Sequence, residues 1–302
     1  MVDHPGQPRV RGLRLVRRAD QGLLSSVGEV PDVRWKGGHR GVEPRERPVV
    51  AVEERPESGV AGDPLANVVQ ELVYLGDLQQ AVERGNVLLR TAHDAGDQHA
   101  ACFADMVLGM AQKRLGRLDE ARAHLRQAIA LAEQIPDYYS GILSSGELVQ
   151  CLSRQGQFSA ALEAIEVGLQ FRARFKFGGN CYSHLIHGQA ECYLLQAERA
   201  TGSEQAEWLG KAGSACKAAL KYVGAFRPGA AEAMLLQGRF EWLRANPKAA
   251  RKWWMKSLAE AERMALRYHA AMTHLEIGQR LGEREHLEAA RTILEGLGVK
   301  VA

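Results

Sequence analysis

Long apolar runs are the first thing missing from these 302 residues. None approaches the roughly 18 residues that a membrane-crossing helix needs. The opening "MVDHPGQPRVRGLRLVRR" also lacks the apolar core of a secretory signal. A cytoplasmic protein with no membrane contact is therefore expected. Cysteine is sparse: Cys102, Cys151, Cys181, Cys192 and Cys216 form no Cys-x-x-Cys pair, and their number is odd. This excludes an ordinary disulfide framework and predicts buried, reduced thiols. An excess of one charge is missing too. The net charge is +3 over the whole chain, with +2 in residues 1–62 and +1 in the remainder. Nucleic-acid binding usually leaves a strongly basic face, so no nucleic-acid partner is expected.

Catalytic signatures are equally scarce. A phosphate-cradling loop would end in Gly-Lys-Ser/Thr, but "GKAGSACKA" (210–218) has Gly and Lys in the wrong order and in helical text. Neither Gly-x-Ser-x-Gly nor His-Glu-x-x-His occurs. His269, His274 and His286 have no Ser, Cys or Asp companion at a telling spacing. The paired carboxylates Glu53-Glu54 fall in aperiodic text, and Asp119-Glu120 suit a helix start. "GGNCYSHLIHGQAEC" (178–192) offers Cys181, His184, His187 and Cys192 as metal ligands. On one helix, Cys181 and His187 diverge by about 120°, and Cys192 lies about 16 Å along the axis from Cys181. Zinc ligands sit at about 2.0–2.3 Å, so helix-packing thiols and half-exposed histidines are expected instead. "KAARKWWMKS" (248–257) combines basic and aromatic residues, as a single-strand stacking platform would. Its spacing fits helix packing better, with Trp254 in the core, Trp253 and Met255 on neighbouring helices, and Glu260 and Glu262 offsetting the cations. No catalytic residue, metal or cofactor is predicted, and the protein is expected not to be an enzyme.

The text that is present divides in two. Residues 1–62 mix Pro, Gly, Arg, Glu and Val with no lasting period. A disordered segment is expected there, because little apolar surface offsets the ordering entropy; an incorrectly chosen start is the other reading. From residue 63 to 302 the composition turns to Ala, Leu, Glu, Gln and Arg, a helical mixture. Asp63-Pro64 reads as an N-cap before a first-turn proline.

A period governs the helical part. Gly76, Gly116 and Gly156 are 40 residues apart, and each is followed five residues later by an alanine: Ala81, Ala121 and Ala161. Gly109, Ala121 and Ala128 share their spacing with Gly238, Ala250 and Ser257, and again with Gly278, Ala290 and Leu297. A small residue on one helix and an alanine on the next permit close approach, and a large residue one turn on fills the contact. Leu125, Ile165, Trp254 and Leu294 hold those large positions. Six antiparallel helix hairpins are predicted, at about 65–93, 99–134, 139–175, 181–223, 228–266 and 268–297. In the fourth, Gly188 meets its partners Ala212, Cys216 and Ala219 some 12 residues late, which marks "ATGSEQAEW" (200–208) as an insertion. The first is degenerate, with Val69 at the small position and Gly85 at the large one, as suits a capping repeat or a cut from a longer solenoid.

This skeleton, with the turns "GDLQQA", "GRLDEA" and "GQFSAA", resembles the tetratricopeptide repeat family in its longer, 40-residue form. The early aromatic and closing proline of that family are mostly missing. The resemblance implies an all-α solenoid and a protein-interaction scaffold. "ANPKAARKWWMKSLAEAERMALRYHAAMTHLEIGQRLGEREHLEAARTILEGLGV" further resembles the C-terminal helical tail of bacterial signalling ATPases linked to adenylate or guanylate cyclases or to kinases, and related tails of transcription activators. That resemblance implies a regulatory or sensor module in signalling, or a fragment whose catalytic or DNA-binding domains lie elsewhere. The first helix of each hairpin is expected to line the concave side. Counting from the small positions places Lys113, Arg114, Arg154, Tyr182, Gln189, Tyr193 and Arg239 in that groove. Such groups suit an acidic or C-terminal segment of a protein or peptide partner.

Overall fold

The computed structural model describes residues 64–174 and 180–299, and among these all regular structure is helical. Twelve α-helices follow one another in six antiparallel pairs. They are α1 (Pro64–Leu75) with α2 (Leu78–Ala95), α3 (Gln98–Arg114) with α4 (Leu118–Gln134), and α5 (Tyr138–Arg154) with α6 (Phe158–Arg174). Then come α7 (Cys181–Arg199) with α8 (Gly202–Tyr222), α9 (Ala230–Leu243) with α10 (Pro247–Arg263), and α11 (Arg267–Leu281) with α12 (Arg284–Gly296). The architecture is the helical-repeat solenoid that the 40-residue period predicts. The expectations for residues 1–62 and for Asp63 lie outside the described residues.

Local sequence sets the ends of these helices. Pro64 and Pro247 occupy first-turn positions, where a missing amide costs nothing. Asp97, Asp137 and Asn246 accept hydrogen bonds from the amides of Ala100, Ser140 and Ala249. Gly76, Gly116 and Gly156 have φ of +89°, +78° and +73°, so they close three successive hairpins in a conformation that disfavours any side chain. Ala245 and Ala265 hold the same left-handed conformation, at +57° and +55°, in the fifth hairpin and just after it.

Packing follows the expected register. A Cβ on Gly109 would stand 2.5 Å from Leu125, and one on Gly238 would stand 2.3 Å from Trp254. Leu125, Ile165, Trp254 and Leu294 are all buried. The first hairpin's exchange is reciprocal: Gly85 leaves room that Leu108 and Val69 fill. Three local expectations need correction. Gly278 admits Leu287 rather than Leu294. Met255 is exposed, because only the Trp254 face of α10 turns inward. Glu260 pairs with Arg227 and Arg263, and Arg251 pairs with Glu283, so the expected offset among the charges near Trp254 is not formed.

The fourth hairpin departs most. Residues 202–208 are helical rather than a loop, so the extra length extends both arms. Helix α7 runs eleven residues past Gly188, whereas α3 runs five past Gly109. The nearest neighbours of Gly188 therefore lie on α5 and not on its own second helix. A Cβ on it would stand 2.6 Å from the Gly146 carbonyl of α5, and one on Gly146 would stand 2.4 Å from the His184 carbonyl carbon. The two inner helices touch backbone to backbone, while α6 and α8 stand apart on the outside.

The last hairpin returns to the first. Leu78, Leu115, Tyr268, Ala271, Ile293, Leu294 and Leu297 form one cluster across that seam. A Cβ on Gly76 would stand 3.0 Å from the Leu297 side chain.

Candidate functional site

The odd-numbered helices face the interior, and α3 and α5 are buried on nearly every side. Along α3 every residue from Ala100 to Arg114 is buried, and along α5 every residue from Ser140 to Ser153. These helices carry many polar residues, and a buried polar group is costly unless paired. The pairing runs between neighbouring inner helices and forms two chains.

The first chain begins at Tyr74 of α1, whose hydroxyl lies 3.0 Å from His184 Nε2 on α7. His184 Nδ1 lies 2.7 Å from Glu147 on α5, whose other oxygen is 2.6 Å from Lys113 Nζ on α3. Lys113 also donates to Gln150, and Gln150 donates to Glu232 of α9 at 2.6 Å. Glu232 completes the chain with His187 at 3.1 Å and His269 of α11 at 3.7 Å. In the second chain, Arg154 of α5 grips Glu191 of α7 through two hydrogen bonds of 2.8 and 3.1 Å. Arg239 of α9 approaches Glu191 at 3.7 Å and donates to Glu276 of α11 at 2.6 Å. Arg280 joins Glu276 to Glu198.

The electrostatics follow. Burial pushes the Glu147 carboxyl up, but Lys113 and His184 outweigh it and hold it well below the usual carboxylate range. Burial opposes ionisation of Glu191 and Glu232 too, and Arg154 in one case and His187 in the other reverse it. The interior thus holds ionised carboxylates, each oriented by partners on neighbouring helices. Between them remains a cavity of about 30 Å³ lined by Lys113, Arg114, Arg154, Arg239, Glu147, Glu191, Glu232 and His269 among others.

The seven groove candidates separate into three places. Lys113, Arg114, Arg154 and Arg239 line this cavity together. Gln189 and Tyr193 line a different, open groove of about 600 Å³ against the small residues Gly210 and Ser214 of α8. Tyr193 stacks there on Trp208, with ring centroids 5.9 Å apart. Tyr182 packs edge-on against Tyr222 and under the Arg172 guanidinium. His184 and His187 are buried, not half-exposed, because each answers a glutamate on a neighbouring inner helix. Cys181 and Cys192 are free and buried, and among the described residues no three His, Cys, Asp or Glu side chains gather as metal ligands. Sequence reasoning missed the acidic halves, Glu147, Glu191, Glu232 and Glu276. Their signal was spacing: Glu147 to His184, Arg154 to Glu191, Glu232 to His269 and Arg239 to Glu276 are each 37 residues apart.

The stack of helix hairpins has known counterparts in sequence pattern and in fold. Residues 100–174 match the family model of the tetratricopeptide repeat. The match covers α3 to α6, the most regular part of the stack. Among solved structures, the chain is similar to a Rap protein complexed with Competence and Sporulation Factor, with a TM-score of 0.55 and 12% sequence identity. The similarity covers 77% of this chain and 61% of that one, so this chain spans less than two thirds of the Rap protein's length. At such identity the likeness concerns the fold alone. No curated protein matches the sequence. Among the described residues no helix is long and apolar enough to cross a membrane.

Proposed function

We propose that the chain acts without catalysis, as a cytoplasmic protein-interaction scaffold whose inner helices recognise an acidic segment of a protein or peptide partner. The observation that carries this reading is the Arg154–Glu191 pair, with its two hydrogen bonds of 2.8 and 3.1 Å. A guanidinium already oriented for a carboxylate is prepared to exchange an internal glutamate for one from a partner. Lys113 and Arg239 are held in the same way by Glu147 and Glu276. The repeat fold supports the reading, since stacked hairpins present continuous recognition surfaces. Pull-down from a native lysate, with wild type beside a Lys113→Glu/Arg154→Glu variant shown to be folded by circular dichroism, tests it. Loss of a captured partner is the expected result; equal recovery removes the inner face from recognition.

A regulatory role in bacterial signalling is the finer form of this proposal. It draws on the likeness of residues 245–299 to the tails of cyclase- or kinase-linked ATPases. An ATPase or helix-turn-helix reading frame beside the coding sequence is the outcome expected if the chain works as part of such a protein. An isolated gene with its own ribosome-binding site would count against it.

A further inference from the structure

A pair of histidines on the last hairpin lies outside the inner network. His274 of α11 and His286 of α12 face each other, with Nδ1 atoms 2.8 Å apart and ring centres 4.8 Å apart. The hairpin's own packing brings them there. Gly278, one turn beyond His274, admits Leu287, the neighbour of His286, so the two helices close tightly at this level. On its far side, His286 Nε2 lies 3.5 Å from a Glu283 oxygen, and Glu283 is itself paired with Arg251. A carboxylate at Nε2 keeps the ring's proton on that atom, so Nδ1 of His286 presents a lone pair toward His274. Burial and His286 lower His274 to about 4. Its ring is therefore neutral at pH 7, the form that a metal binds.

We propose that His274 and His286 chelate one divalent transition-metal ion through their Nδ1 atoms, with copper(II) bound most tightly. Nitrogen ligands at about 2.0 Å from such an ion stand about 2.8 Å apart at a right angle and about 3.3 Å apart at a tetrahedral one. The observed 2.8 Å matches the right angle, which is the arrangement of tetragonal copper(II) or nickel(II). Copper(II) also leads the order of affinities for divalent ions. The contact as it stands needs one proton between the two Nδ1 atoms. The ion takes that proton's place as it moves to the other ring nitrogen of His274. What distinguishes the pair from an ordinary hydrogen bond is the support behind it: Arg251 holds Glu283, and Glu283 holds His286. Carboxylates stand in the same way behind metal-bound histidines, where they fix the tautomer and raise the ring's basicity. The His286 side chain is 16% exposed, so water reaches the site and completes the shell. Among the described residues no third protein ligand joins, which suits an open, exchangeable site and not a closed structural zinc. The bound ion clips α11 to α12. The inference stands apart from the partner-binding reading.

The full chain, without a polyhistidine tag, is titrated with copper(II), nickel(II) and zinc(II) salts and followed by calorimetry, thermal unfolding and copper EPR. His4→Ala and His39→Ala are included to remove the histidines outside the described residues. One copper(II) per chain is expected, with an axial spectrum split by two nitrogens, and a Tm rise of about 5 °C at a hundredfold excess over Kd. Absence of a stoichiometric site overturns the proposal, and zinc(II) bound as tightly as copper(II) overturns the tetragonal assignment. His274→Gln and His286→Gln should each abolish the site; its retention in either variant places the ion elsewhere. Where these variants fail to fold, Glu283→Gln leaves both ligands in place and should weaken copper(II) about tenfold. Unchanged affinity in that variant overturns the carboxylate-supported site.

Discussion

The second and fourth hairpins use the same element, a glycine midway along the first helix, to opposite ends. In the second, Gly109 admits Leu125 of its own partner helix, and both helices are 17 residues long. In the fourth, Gly188 admits the carbonyl of Gly146 from the preceding hairpin. There the arms lengthen to 19 and 21 residues, and Ala212 and Cys216 still reach the core further along. A small residue thus specifies close approach but not the partner. Helix length decides whether the space closes within a hairpin or between hairpins.

Several measurements can break or sharpen this contrast. The largest effect is expected at the large position. Trp254→Ala, in the fully buried contact with Gly238, should cost about 3–5 kcal/mol in urea denaturation. Gly146→Ala comes next. Its Cβ meets backbone, which cannot yield, so a loss of about 3 kcal/mol is expected. Gly109→Ala meets chiefly the Leu125 side chain, with the Ala121 carbonyl at 3.3 Å, and the helix propensity gained, about 1 kcal/mol, offsets part of its cost. Equal losses at the two glycines would erase the distinction between the hairpins.

Acid should act first on the His274–His286 contact within the last hairpin and then on the carboxylates that join the inner helices. Glu147, Glu191 and Glu232 are depressed in the folded state, and Glu260 is lowered to about 2 by Arg263 and Arg227 against burial. A depressed carboxylate contributes its stability above its unfolded pKa, near 4.3, and loses it as pH falls through the folded value. His274 is lowered to about 4 by burial and by His286. It therefore favours the folded state above its unfolded value near 6.5, and that contribution declines as pH falls from there to about 4. Tm measured from pH 7 to 2 should drop in two stages, and His274→Gln should weaken the first. A flat Tm between pH 6.5 and 4.5 in wild type would contradict the histidine part. The smallest effect is a gain: Ala245→Gly relieves a left-handed alanine at φ +57° and should add about 0.5–1 kcal/mol, read as a rise in Tm.

The sequence made the hairpins legible because each is specified within about 40 residues, by a glycine, an alanine and a large residue at fixed steps. The inner pairing was less visible, since both partners lie on polar text that reads as a solvated face. Its 37-residue spacing equals one repeat less about one helical turn of 3.6 residues, the stagger at which side chains of adjacent inner helices meet. A search at 40 residues finds the packing positions and misses the charges. Lys113 and Arg154 were found as cations, but Glu147, 34 residues from Lys113, and Glu191, 37 residues from Arg154, were not. Gln189 and Tyr193 were assigned to the groove of Lys113 by counting from the small position. The extended fourth hairpin breaks that count, and they line a separate groove.

The return of the last hairpin to the first carries one more consequence. A linear repeat array frays from its ends, because each terminal unit has one neighbour fewer and opens at little cost. Here Leu297 lies against Gly76, and Tyr268 and Leu78 share a cluster with Leu294, so α12 and α2 each have neighbours on both sides. Unfolding should then be concerted rather than progressive. Amide hydrogen exchange at α2 and α12 should be as slow as at α5, and inserting or removing one hairpin should abolish the seam instead of merely shortening the stack.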